Sequence, residues 1–116
     1  MGQKHVLITF NHAPYGTIYY TEGLRAAVGV TSGIDEHTVD VVYLGDGVYF
    51  TLKGVDRKDT NKYLGTLSAA GYKLQAVEES LTARGISKAD LASDIEVISR
   101  SRLLELIGKA DATMDF

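Results

Sequence analysis

After a short polar lead, positions 6–10 read Val-Leu-Ile-Thr-Phe and stop at Asn11. A run of β-branched and aromatic residues without polar alternation predicts a strand buried on both faces, as parallel sheets produce. From residue 17 the period changes. Tyr20, Leu24, Ala27 and Val28 recur at helical spacing, which predicts a helix to about residue 32 with Gly33 to end it. Gly23 and Gly29 either weaken that helix or let it approach the sheet closely, and the sequence leaves both readings open.

Residues 39–44 predict a second strand. Gly45-Asp46-Gly47 follows, then an apolar stretch at 48–52 sufficient for one or two helical turns. Asp59 or Thr60 heads a helix whose Tyr63, Leu64 and Leu67 share a face, and Gly71 stops it. Residues 73–77 predict the third strand. Residues 78–83 predict a short helix, with Glu78 and Glu79 in its first turn and Gly85 just past its end. Ser87 and Asp90 have capping-box spacing and open another short helix. Residues 95–98 predict the fourth strand, 101–107 a helix closed by Gly108, and 112–116 a last strand.

Strands alternating with helices predict an α/β domain with a mostly parallel five-stranded sheet. Right-handed crossovers put helices on both of its faces, in three layers, and a single domain over residues 1–116 is expected. Ligands in such sheets bind beyond the carboxyl ends of the strands, near where the strand order reverses. The loops after strands one to three are therefore the place to look for function.

Composition narrows the chemistry. At 116 residues the chain is long enough for a core without metal or disulfide staples. It has no cysteine, which excludes disulfides, thiolate zinc sites, iron-sulfur clusters and any reaction carried by its own thiol. A formal charge of −3 with no basic stripe gives no reason to expect nucleic acid as a partner. The first apolar run is too short for a signal-peptide core or a membrane span, so no membrane partner and a cytoplasmic location are expected.

The loop Asn11, His12, Ala13, Pro14, Tyr15, Gly16, Thr17 leads from a strand into a helix, whose first amides can receive an anion. On the plainer reading, Pro14 and Gly16 shape a turn and Thr17 caps the helix. The loop has neither the Rossmann glycine pattern nor a P-loop lysine, so nucleotide is not expected. Asp46, beside Gly47, either faces a ligand as an acid or base or caps the following turn, the commoner role. Glu78 and Glu79 point about 100° apart on a helix and fit dipole compensation better than a facing carboxylate pair. His5, His12 and His37 lie in separate segments without ligand spacing, so no metal or cofactor is expected. His12 alone sits where a titrating imidazole would be useful. Tyr19 and Tyr20, as helical neighbours, divide between surface and core.

Four segments together resemble a known family: Ala13-Pro14-Tyr15-Gly16-Thr17, Glu22-Gly23-Leu24, Asp46-Gly47-Val48, and Ser80-Leu81 with Arg84-Gly85-Ile86. In this order, and with Asp115-Phe116, the chain is similar to the DsrE/DsrF-like sulfur-relay family, most of all its DsrF/TusC branch. The resemblance implies a flavodoxin-like domain that assembles into trimers or hexamers and passes sulfane sulfur as a cysteine persulfide. The family's active cysteine ends the third strand, a position that falls on Val77 here, with Ser80 at a second cysteine position of some relatives. Neither side chain can form a persulfide.

The expectation is a non-catalytic subunit of a sulfur-transfer assembly, with a homo-oligomer, or cysteine-bearing DsrE-like subunits, as partners. An alternative is a homo-oligomeric binder of a small ligand or anion, its pocket walled by Asn11, His12, Tyr15, Gly16, Thr17, Asp46, Gly47, Ser80 and Arg84. In that pocket Arg84 would pair an anion, unless it serves its helix's C-terminus instead. An acid-base enzyme using Asp46 and His12 ranks last, since nothing places a nucleophile beside a base.

Overall fold

The computed structural model describes residues 3–13, 18–32 and 37–116. Five strands, β1 (His5–Phe10), β2 (Thr38–Tyr43), β3 (Leu74–Val77), β4 (Ile95–Ile98) and β5 (Ala112–Asp115), form one sheet in the order β4-β3-β2-β1-β5. Every pairing is parallel. Among the described residues four α-helices connect them: α1 (Tyr19–Thr31), α2 (Asn61–Ala69), α3 (Glu78–Ala83) and α4 (Arg100–Lys109). The described residues also hold two 3-10 turns, Gly45–Thr51 and Lys88–Asp90.

Alternation along each strand sorts the core into two layers. On the first face Ile8, Phe10, Val41, Tyr43 and Ala76 are buried beneath Leu24 and Ala27 of α1, Leu64 and Leu67 of α2, and Leu81 of α3. On the second face Leu7, Val42, Val77 and Ile98 meet Leu103 and Leu106 of α4. Fully burying a side chain of this size contributes about 1.5–3 kcal/mol, so the continuous apolar runs of β1 and β2 carry much of the fold. The result is a three-layer, flavodoxin-like α/β architecture in which α4 is the only α-helix on the second face among the described residues.

Local signals explain most element ends. Gly71 and Gly85 take φ of +88° and +67° just past α2 and α3, the left-handed region glycine enters freely. Ser87 and Asp90 form the reciprocal capping box, which opens a single 3-10 turn. Three expectations are corrected. Gly108 does not close α4, which runs on through Lys109 to an extended Ala110. Glycine without positive φ can continue a helix, and Lys109 suits its negative end. Thr60 holds the N-cap position of α2, but its side chain makes no capping bond. The N-cap position of α1 falls on Ile18, without a side-chain cap, while Thr17 and Gly33 lie outside the described residues.

Gly23 resolves in favour of close packing: a Cβ there would lie 2.2 Å from the Phe10 ring and 2.9 Å from that of Phe116. Gly29 faces open space and has no such role. Tyr19 is exposed and Tyr20 buried, the expected division.

Candidate functional site

At the carboxyl ends of β1, β2 and β3 three connections are tied together. The chain leaves β2 through Leu44, whose amide donates to Phe10 O at 3.0 Å, and turns at Gly45 with φ +54°. Gly47 then passes so close to β1 that a Cβ would sit 1.9 Å from Phe10 O, leaving room for glycine alone. Ser80, in α3, accepts the Gly45 amide on its Oγ at 3.0 Å. Arg84, just past α3, donates through Nε and Nη2 to Asp46 Oδ1 at 3.1 and 3.0 Å, and through Nη1 to Ser80 O at 3.1 Å.

These contacts correct the reading of Asp46 as a cap. The 3-10 turn beginning at Gly45 has no side-chain cap, and the Asp46 carboxylate receives a guanidinium from 38 residues further along the chain. Of the two roles weighed for Arg84, the structure shows a bond to a helix carbonyl, and it adds the Asp46 pair.

The strand order reverses between β1 and β5, so the loop after β1 lies nearest that crevice, with those after β2 and β3 progressively further away. Asp115 fills part of it, accepting from Thr9 Oγ1 at 2.8 Å and from Asn11 Nδ2 at 3.2 Å. His12 brings Nδ1 to 2.6 Å from Phe116 O, and its ring lies 4.7 Å from that of Tyr19. The Phe116 ring in turn packs 6.0 Å from Phe10. Sequence reasoning did not place Thr9 and Asp115 in the site. Their signal is pairing across about the whole chain, 106 positions apart, which no local pattern carries.

Asn11, Asp46, Gly47, Ser80 and Arg84 are thus brought to one end of the sheet. His12 is at the same end but engaged with Phe116. Tyr15, Gly16 and Thr17 lie outside the described residues. Val77, directly before α3, is 3% exposed and points into the second core layer beneath α4, away from the Ser80 and Arg84 contacts. Below the site the Tyr20 and Tyr43 hydroxyls meet at 2.9 Å, and burial pushes the Tyr20 phenol up to about 12 and Tyr43 well above its ordinary value. No group of three or more His, Cys, Asp or Glu able to hold a metal exists among the described residues. A groove lined by Ser68, Tyr72, Lys73, Asp94 and Glu96 lies at the opposite, amino end of β3 and β4, remote from these loops.

An all-parallel, three-layer sheet with its candidate site at the carboxyl edge is a recurrent class of α/β protein, and solved structures share its course. The E. coli ychN protein matches with a TM-score of 0.80 at 23% identity, covering 98% of this chain and 99% of that one. The MTH1491 protein of Methanobacterium thermoautotrophicum, of unknown function, matches with a TM-score of 0.81 at 14% identity, covering 98% and 100%. Within this class the chain belongs to the DsrE/DsrF-like family, whose model matches residues 4–116. It is 32% identical to the intracellular sulfur oxidation protein DsrF of Allochromatium vinosum, over 90% of each chain. It is 29% identical to a TusC homolog of Pasteurella multocida, over 92% of this chain and 95% of that one.

Proposed function

We propose that this chain is a non-catalytic subunit of an intracellular sulfur-transfer assembly, one domain over residues 1–116 that supplies interface and shape to a cysteine-bearing relative. The carrying observation is that a cysteine-free chain has Val77 where the resemblance puts the relay cysteine, buried to 3% exposure beneath α4. Ser80, at the second cysteine position, spends its hydroxyl on the Gly45 amide and fastens two loops instead of presenting a nucleophile. The natural setting is the cytoplasm, in a trimer or hexamer of this chain or with DsrE-like partners. No helix among the described residues is long and apolar enough to cross a membrane.

The anion-binding alternative has less support. Arg84, the cation such a site would use, already serves Asp46 and the Ser80 carbonyl.

Co-expression with cysteine-bearing relatives from the same genome, followed by mass spectrometry after exposure to a sulfane-sulfur donor, tests the reading. A co-eluting complex with added sulfur only on the partner's cysteine supports it. Persulfide transfer catalysed by the isolated chain, or failure to associate with any cysteine-bearing relative, overturns it.

A further inference from the structure

Asp46-Gly47 is the one Asp-Gly step in the sequence, which has no Asn-Gly step. Glycine has no side chain to shield its nitrogen, so an aspartate ahead of it is the backbone position most open to attack on its own side chain. In that reaction the Gly47 nitrogen bonds to Cγ of the protonated Asp46 carboxyl. The amide proton and the carboxyl's hydroxyl leave as water, and a five-membered succinimide closes. Water then opens the bond between the nitrogen and the former main-chain carbonyl, and the chain runs on through Cβ and Cγ as isoaspartate. One water leaves and one is added, so the composition is unchanged.

The structure holds the two reacting groups apart. The Gly47 amide donates to Leu44 O at 3.0 Å, while Asp46 Oδ1 takes two donors from Arg84 at 3.1 and 3.0 Å. Arg84 is itself anchored through Nη1 on Ser80 O, and Ser80 Oγ holds the Gly45 amide. Cγ therefore turns onto the nitrogen only after the guanidinium lets go and the turn's own bond breaks. The Asp46 side chain is 58% exposed, so water reaches the ring for the second step. The product does not fit back. Isoaspartate adds a backbone carbon to a turn in which Gly47 has no room for even a Cβ beside Phe10 O.

We propose that Asp46 is a site of spontaneous isomerisation to isoaspartate, and that Arg84, by holding its carboxylate, governs the rate. Conversion releases Arg84 and unties the three connections at the carboxyl edge of the sheet. The proposal rests on the chemistry of this joint alone and is independent of the sulfur-relay reading.

The full chain, kept in neutral buffer at physiological temperature, is scored for isoaspartate by peptide mapping and by an isoaspartate-specific methyltransferase with S-adenosylmethionine. A synthetic peptide of residues 44–49 gives the unprotected rate. The wild-type chain should convert far more slowly than the peptide. Arg84→Ala should convert about fivefold faster than wild type, the population factor that corresponds to about 1 kcal/mol. Arg84→Lys keeps the charge but loses the fork of donors, and should fall between the two. Ile98→Val, in the second core layer, controls for general loosening and should convert at the wild-type rate. The proposal is overturned by Arg84→Ala and Arg84→Lys both at the wild-type rate, by Ile98→Val as fast as they are, or by a wild-type chain as fast as the peptide. None of these outcomes bears on association with a cysteine-bearing relative.

Discussion

Arg84 sets two donors, Nε and Nη2, on the single Oδ1 of Asp46, joining the end of α3 to the turn that follows β2. The Asp46 side chain is 58% exposed, so the pair itself is worth under about 1 kcal/mol. Arg84 also donates to Ser80 O, at the otherwise unpaired end of a helix. Urea unfolding should therefore show Arg84→Ala costing about 1 kcal/mol and Asp46→Ala about half of that or less. Equal losses would mean that the carbonyl bond contributes nothing.

Two glycines should respond in opposite directions. Gly47→Ala drives a Cβ into backbone at Phe10, where no side chain can swing aside, and should cost about 3 kcal/mol or more. Gly29→Ala, inside α1 with open space beyond it, should stabilise by about 0.5–1 kcal/mol. Thermal or urea denaturation of both variants checks the contrast, and a neutral Gly47→Ala would show that β1 and the turn can separate.

The tyrosine pair makes stability fall in alkali. Tyr20 holds its proton to about 12 when folded against 10.0 ordinarily, and Tyr43 shifts the same way. The folded state thus binds more protons than the unfolded chain from pH 10 upward, and stability present below that point is lost as pH rises toward 12. Of seven tyrosines in the chain, these two should ionise only with unfolding, seen as a delayed step in phenolate absorbance. Tyr20→Phe should flatten the alkaline loss while costing about 1–3 kcal/mol at neutral pH, because it strands the buried Tyr43 hydroxyl.

Restoring sulfur at the strand end should not by itself restore chemistry. Val77→Cys places a thiol among Leu7, Val42, Ile98 and Leu103, where apolar surroundings disfavour the thiolate. The variant should fold, and its thiol should react with an alkylating reagent far more slowly than a cysteine in the unfolded chain. Rapid alkylation under native conditions would mean that α4 lifts readily from the sheet.

Strands were legible where the apolar run was continuous, as in β1, where Val6, Leu7 and Ile8 are all buried, and residues 78–83 read correctly as α3 because Gly85 just past its end leaves a local mark. Gly108 misled because a helical glycine and a helix-stopping glycine are the same letter until φ is known. Asp46 misled for a different reason. Its turn position fits a cap, but an arginine 38 residues away offers two charged donors, and that partner exists only once β2 and β3 lie side by side. The contacts of Asn11 with Asp115 were hidden in the same way, since pattern reading does not tell which edge of the sheet the last strand joins.

The pairing of β5 with β1 has a consequence for biosynthesis. β1 is the second strand from the edge in the finished sheet, yet its outer neighbour comprises residues 112–115 and is the last of the five strands to be synthesised. Until then one side of an apolar strand presents free amides and carbonyls, the kind of template that recruits other nascent chains. The interval between emergence of α4 and docking of the last strand is thus when this polypeptide is most exposed to aggregation, and when a chaperone would have most to protect.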